Sequence, residues 1–290
     1  AVIGSIALLA SIAPVLSSTP AGAVPQTALT AVSATDTASY SACPTGSAAA
    51  SGFSDTTSTD VDCIAMHGIT KGVTATTYEP DASIPRWQMA LYLTRAAVSA
   101  GHTLGSGADQ GFTDISGESA EIQTAINQIK QLGVTTGTTA TTFSPADNVT
   151  REQMAMFLER LLKITPKGPG GSGDVDAATN PLGLNIHGGT ATYNYDDIDG
   201  GAVTFEGHNA IVEIYHLGLT GDAKTVRAFN PSANITRGTM ATWMTNALAH
   251  SNARPTGLWI QSAASSATGF ANNSPTLSVS HRDANRVPVA

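Results

Sequence analysis

Apolar residues recur every three or four positions through several short stretches of this chain, and runs of Thr, Ser, Gly and Pro separate them. Ile122, Ile126, Ile129 and Leu132 share one helical face, and Gly133 directly after them suits a C-cap, so the spacing predicts a helix that stops there. Downstream, Thr150-Arg151-Glu152-Gln153 reads as a capping box of the Thr-x-x-Gln type. Met154, Phe157, Leu158, Leu161 and Leu162 then supply the apolar face of a second helix. The loop between them holds Thr, Gly and an aromatic-x-Pro step, which pins the loop while its ring packs inward. The predicted unit is helix–loop–helix.

The same pattern occurs three times. The first copy runs Phe53-Ser54-Asp55, Ile64, Gly68-Ile69-Thr70, Gly72, Tyr78-Glu79-Pro80, Arg86, Met89-Ala90 and Arg95. The second runs Phe112-Thr113-Asp114, Ile129, Gly133-Val134-Thr135, Gly137, Phe143-Ser144-Pro145, Arg151, Met154-Ala155 and Arg160. The third has Tyr195-Asp196-Asp197, Ile214, Gly218-Leu219-Thr220, Gly221, Phe229-Asn230-Pro231, Arg237 and Met240-Ala241. Each Pro stands at a constant offset before its Arg, and each Met-Ala at a constant offset after it, so the chain is read as a triplicated unit. Thr236, Met240, Trp243, Met244 and Leu248 repeat the second helix in the third copy. Pro85 replaces the capping Thr in the first, which calls for a different cap but keeps the helix.

Composition removes several function classes. The 290 residues carry 14 Lys+Arg against 22 Asp+Glu, a formal net charge of −8, and only 12% charged residues, which argues against neutralising nucleic-acid phosphates. With 41% apolar residues the chain can bury a core. Residues 1–23 hold an apolar run, Ala1 to Ala10, followed by small residues ending Ala21-Gly22-Ala23, the pattern of a secretory leader. The run lacks a basic start and an initiator Met, so the sequence is read as beginning a few residues late. It is also shorter than a membrane span needs, and the mature protein is expected to be exported, with no span. In an oxidising compartment Cys43 and Cys63 are expected to form a structural disulfide.

The aromatic-x-Asp start, the Gly-Ile-Thr-x-Gly loop, the Phe-x-Pro step and Thr-Arg followed by Met-Ala resemble the S-layer homology domain, over about residues 52–250. The resemblance implies a mainly α fold of three helix–loop–helix repeats, at 52–101, 111–164 and 193–250, in a pseudo-threefold arrangement with grooves between neighbours. It implies non-covalent anchoring of an exported protein to an anionic, often pyruvylated, cell-wall polysaccharide or to peptidoglycan. The sequence departs from the family's Thr-Arg-Ala-Glu motif, with Pro85-Arg86-Trp87-Gln88, Thr150-Arg151-Glu152-Gln153 and Thr236-Arg237-Gly238-Thr239 in its place. The Arg survives in all three and the Glu in none. Asn246 stands where the other copies have Arg95 and Arg160, which are read as bridges between repeats.

Candidate glycan contacts follow from position. Arg86, Arg151 and Arg237 each fall in the first turn of a helix, where open N–H groups and the dipole favour an anion and a guanidinium adds bidentate recognition of a carboxylate. The competing reading is that each Arg binds a loop carbonyl or an Asp. Trp87 offers a face to sugar C–H groups. Asp55, Asp114 and Asp197 either cap the first helix or close a turn, or accept from sugar hydroxyls. Gly68, Gly133 and Gly218 are read as C-caps whose backbone frames the groove.

Other chemistry finds little support. Asp197-Ile198-Asp199-Gly200 lacks the acidic spacing of a calcium loop, and the seven His lack zinc-binding spacing, so no metal or cofactor is expected. His67 takes an apolar slot held elsewhere by Leu132 and Leu217. No nucleophile elbow or phosphate loop is present, and the chain is read as a non-enzyme. Residues 24–51 read as a lead-in, 165–180 as a Gly/Pro linker, and 256–290 as the start of a β-rich segment with strands near Leu258–Ser262 and Pro275–Ser280. Two rival readings stay open: a self-assembling surface lattice of like copies, or the wall tether of an exported hydrolase whose catalytic domain lies beyond residue 290.

Overall fold

The computed structural model describes residues 42–43, 48–165, 193–251 and 253, and the backbone of two further strands. The leader at 1–23, most of the lead-in and most of the linker lie outside the described residues. Six helices carry the fold: α1 Thr59–Met66, α2 Arg86–Ser99, α3 Ala120–Gln131, α4 Arg151–Ile164, α5 Phe205–His216 and α6 Arg237–His250. β1 Gly257–Ser262 and β2 Leu277–Arg282 pair antiparallel, with Trp259 opposite Ser280. Among the described residues the protein is mainly helical.

Each helix is bounded by its own sequence. Ser58, Ser119 and Thr204 cap α1, α3 and α5, each accepting from the backbone N–H three residues on. These shorter helices end at a left-handed glycine, with φ of +70° at Gly68, +74° at Gly133 and +73° at Gly218. There the chain doubles back, so that Ile69 N–H reaches the Ile64 carbonyl at 2.8 Å, the six-to-one closure of a Schellman turn. Thr150 and Gln153 form the full capping box on α4. Pro85, at the N-cap of α2, contributes no side-chain cap.

The apolar faces then choose the packing. In the three helix–loop–helix units, the second helix carries the buried Met-Ala pair (Met89-Ala90, Met154-Ala155, Met240-Ala241). Around them lie Leu93, Leu158 and Met244, each fully buried and worth about 1.5–3 kcal/mol in transfer from water. The first helix of each unit lies against the second helix of the unit before it: α3 on α2, α5 on α4, and α1 back on α6. Single backbone bridges pair Pro85 with Asn148, Thr150 with Asn234 and Ser83 with Thr236. Contacts between units therefore run in one direction around a closed ring.

A disulfide joins Cys43 to Cys63 and ties the lead-in to α1. Ala42 beside it is fully buried, and its carbonyl lies 3.1 Å from His67 Nε2. In the chain-entropy picture a loop of this size contributes about 3 kcal/mol. Cys63→Ser is expected to lower the urea midpoint accordingly, and the wild type in a dithiol reductant should follow it.

Candidate functional site

The three repeated arginines sit where units meet, and each reaches forward into the next unit. Arg86 Nε donates to the Phe143 carbonyl at 2.7 Å, Arg151 Nε to the Phe229 carbonyl at 2.6 Å, and Arg237 Nε to the Tyr78 carbonyl at 2.5 Å. Each guanidinium also lies over the ring of that same residue, at 4.6, 4.8 and 4.6 Å from the centroid. Arg86 and Arg237 are 3% and 2% exposed, whereas Arg151 is half-buried. Arg86 and Arg237 extend the contact through Gln153 and Gln88, the third residues of the neighbouring helices. Burial pulls the Arg86 and Arg151 guanidinium groups below their usual range, and nearby carboxylates oppose this. The geometry is that of the competing reading, an arginine on a loop carbonyl.

The helix N-termini are also occupied. The expectation of open N–H groups for an anion in the first turn is corrected here, because the neighbouring loop takes them. Arg86 and Trp87 N–H donate to the Asp147 and Pro145 carbonyls, Arg151 and Glu152 to Ala233 and Pro231, and Arg237 and Gly238 to Ala82 and Pro80. This also explains how α2 manages with proline at its N-cap: the next unit supplies the cap.

Asp55, Asp114 and Asp197 do not cap helices. Each carboxylate accepts two consecutive backbone N–H groups from its own unit's aromatic-x-Pro loop: Tyr78 and Glu79, Phe143 and Ser144, Phe229 and Asn230. The second residue of each pair is the left-handed one, with φ of 58° at Glu79, 57° at Ser144 and 56° at Asn230. A doubly bonded carboxylate holds that unfavourable turn in place. The Glu79 and Tyr78 N–H groups keep the Asp55 carboxyl below the usual range, so its support is present above about pH 4 and is lost as pH falls through the folded value. Between pH 5 and pH 3 the wild type should therefore lose more stability in urea than Asp55→Asn does.

Trp87, alone among the candidate contacts carried by α2, opens into a surface groove of ≈ 400 Å³. Lys71, Glu79, Gln88, Leu91, Tyr92 and Arg95 line it, and Arg237 from the third unit lies at its base. Arg95 is held by the Ile69 carbonyl and by Glu121, each at 3.1 Å. Arg160 makes the same pair of contacts with Val134 and Glu206, so both bridge units. Asn246 replaces only the carbonyl contact, donating to Leu219 at 2.9 Å. Lys71 is exposed and has no ion-pair partner among the described residues. Sequence reasoning passed over Lys71, because a lone lysine in a Thr/Gly loop reads as solvated surface. Gly68 lines a smaller cleft of ≈ 200 Å³ rather than this groove.

Two constellations elsewhere have simple chemistry. Cys43, Cys63 and His67 lie close enough together to hold a metal, but the two sulfurs are bonded to each other and offer no thiolate. Ser99 Oγ lies 2.7 Å from His67 Nδ1 in the manner of a nucleophile and base. Ser99 closes α2 at its C-terminal end, however, where carbonyls rather than N–H groups point outward, so the helix offers no oxyanion donors there. Asp199 pairs with His208 at 3.1 Å, and Asp197 is the loop clamp, so the two acids of that turn serve separate partners.

Among the described residues no helix is long and apolar enough to cross a membrane. No curated protein matches the chain. Residues 111–155, from the start of the second unit to the buried Met154-Ala155 pair, match a known family, the S-layer homology domain. Domains of this family associate with the cell surface and bind cell-wall polymers in general, and residues 111–155 of this chain are similar to them.

Proposed function

We propose that all three units are S-layer homology repeats and that together they anchor an exported protein to its cell wall, by reversible binding of an anionic wall glycan and without catalysis of their own. The equivalence of the units is supported by their arginine, aspartate and glycine contacts, which recur at the same positions in each. The single observation that carries the binding reading is the groove beside α2. It joins an exposed lysine, an aromatic face at Trp87 and a rim of side-chain amide and hydroxyl groups. A sugar ring can lay its C–H face on the indole while its carboxylate meets the ammonium of Lys71, and the hydroxyls find Gln88. The repeated arginines serve this function indirectly, by fixing the units between which the grooves lie.

Pelleting the full chain with purified wall sacculi, native and after acid extraction of the secondary polymer, tests the reading. Binding that disappears on extraction supports the anionic glycan. Equal binding to stripped walls assigns peptidoglycan as the partner instead. A chain that stays in the supernatant with every native wall tried overturns anchoring.

A further inference from the structure

The three junctions between units share one plan but carry different side chains. Resting on the reading that the module binds an acidic glycan, we propose that each chain takes up a single glycan segment, in the first-unit groove, because the other two junctions carry the carboxylates Glu152 and Asp222 where the first has Trp87 and Gly72, and neither has a counterpart of Lys71.

The positions can be matched residue by residue. Lys71 corresponds to Thr136 and Gly221, each following the buried loop threonine, and Trp87 corresponds to Glu152 and Gly238, each following the latch arginine. In the second unit Glu152 turns onto the start of α5. Its Oε1 accepts from Thr204 N at 3.0 Å and from Thr204 Oγ1 at 2.8 Å. It lies so close over Gly207 that a Cβ there would stand 2.0 Å from the same oxygen. The second junction thus has a fixed carboxylate in place of the indole and a threonine, Thr136, in place of the lysine.

In the third unit the acid is Asp222. It takes the position of Gly72 and Gly137, as its N–H bond to Thr220 Oγ1 shows, and its carboxylate accepts from Tyr195 Oη at 2.7 Å. At this junction Thr239 takes the sequence position of the glutamines that the other arginines reach, and its hydroxyl accepts from Thr236. Arg151 Nε is bonded to the Phe229 carbonyl, and Asp222 is the carboxylate that acts on that guanidinium most strongly. Gly238, 3.1 Å in Cβ projection from the Pro80 carbonyl, offers no ring to a sugar. Among the described residues at corresponding positions, then, only the first groove combines a stacking surface with a lysine, and Glu79 is the acid on its lining. The ligand class is the one the anchoring reading already carries, a sugar with a carboxylate on or beside the ring, and a uronic acid and a pyruvyl ketal serve as its two probes.

Side-chain N–H resonances of the ¹⁵N-labelled full chain separate the junctions. Trp87 reports the first, the Gln153 amide the second, and Trp243, whose ring lies 4.8 Å from the Arg151 guanidinium, the third. Titration with a pyruvyl-ketal hexosamine and, in parallel, with a uronic-acid trisaccharide should move the Trp87 indole saturably with at least one probe. The Gln153 and Trp243 signals should stay in place. Lys71→Ala should weaken that saturation at least tenfold. Trp243 or Gln153 signals that saturate together with Trp87 overturn the single-site assignment. Still signals in a chain that nevertheless pellets with native walls overturn it too and leave anchoring intact, whereas still signals in a chain that never pellets remove the anchoring reading itself.

Discussion

Arg237→Ala is expected to lower the melting temperature by about 10 °C. The guanidinium is buried and donates to the Tyr78 carbonyl, to Gln88 Oε1 at 2.5 Å and to Tyr92 Oη at 3.0 Å, while its plane covers the Tyr78 ring. Removing it leaves the buried Tyr78 carbonyl without this donor, takes one contact each from Tyr92 Oη and the half-buried Gln88, and opens the contact that closes the ring between the third unit and the first. A loss of about 3–5 kcal/mol follows from the behaviour of broken buried polar contacts. For a domain of this size each kcal/mol moves the midpoint by about 2–4 °C. Arg237→Lys should recover only part of the loss, since an ammonium cannot stack on the ring and reach three acceptors in one plane. Arg151→Ala should cost less, because that side chain is half-buried and has a single carbonyl contact. Calorimetric melts of the three variants check this order. Unchanged melting in Arg237→Ala, coupled to lost wall binding, would make the arginine a ligand contact instead of a latch.

Gly137→Ala should destabilise the protein by about 3 kcal/mol, for two separate reasons. Its φ of +93° is strained for any side chain, at about 1–3 kcal/mol. A Cβ there would also stand 2.5 Å from the Thr139 carbonyl, 2.6 Å from that of Thr142 and 2.7 Å from the edge of the Phe112 ring. Gly72 meets Phe53 in the same way. The third unit shows how the constraint is escaped. There the left-handed turn moves one residue earlier to Gly221, at φ +69°, the ring becomes Tyr195, and its hydroxyl bonds the Asp222 side chain that now occupies the site. Gly221→Ala has no contact within 4 Å and should cost only the backbone strain. Urea denaturation of Gly137→Ala beside Gly221→Ala separates steric clash from strain.

That substitution also marks where reading the sequence went astray. Gly221 looks like the partner of Gly72 and Gly137, yet it stands one residue early, and only the hydrogen bond from the loop threonine reveals Asp222 as the equivalent. Within the chain the signal was present: Phe53 and Phe112 go with glycine, and Tyr195 goes with an acid. The helices themselves were legible, because Ile122–Leu132 and Met154–Leu162 follow the period of a helix and Gly133 and Thr150 punctuate it. Partners were harder. Arg237 and Tyr78 are 159 residues apart, and nothing in local spacing says that an arginine in a first helical turn will serve a neighbour's carbonyl. The aspartates were placed at turns or caps, but their true targets are two N–H groups more than twenty residues downstream, visible only once the loop has folded back. Capping by Ser58, Ser119 and Thr204 followed ordinary rules and was overlooked beside the more conspicuous Asp.

A division of labour emerges from these contacts. The arginines and aspartates that repeat most faithfully maintain the frame, and residues that differ among the units, Lys71 and Trp87 above all, give one groove its character. The double variant Lys71→Ala/Trp87→Ala, pelleted with native wall sacculi beside the wild type and melted from the same preparation, tests this most directly. Both residues are on the surface of the groove, so the melting temperature should stay within about 2 °C of the wild type, as for surface substitutions generally. Wall binding should fall at least tenfold, the expected consequence of losing a charged contact and a stacking face of about 1–2 kcal/mol each. Undiminished binding by a double variant that melts like the wild type would contradict the groove as the seat of anchoring.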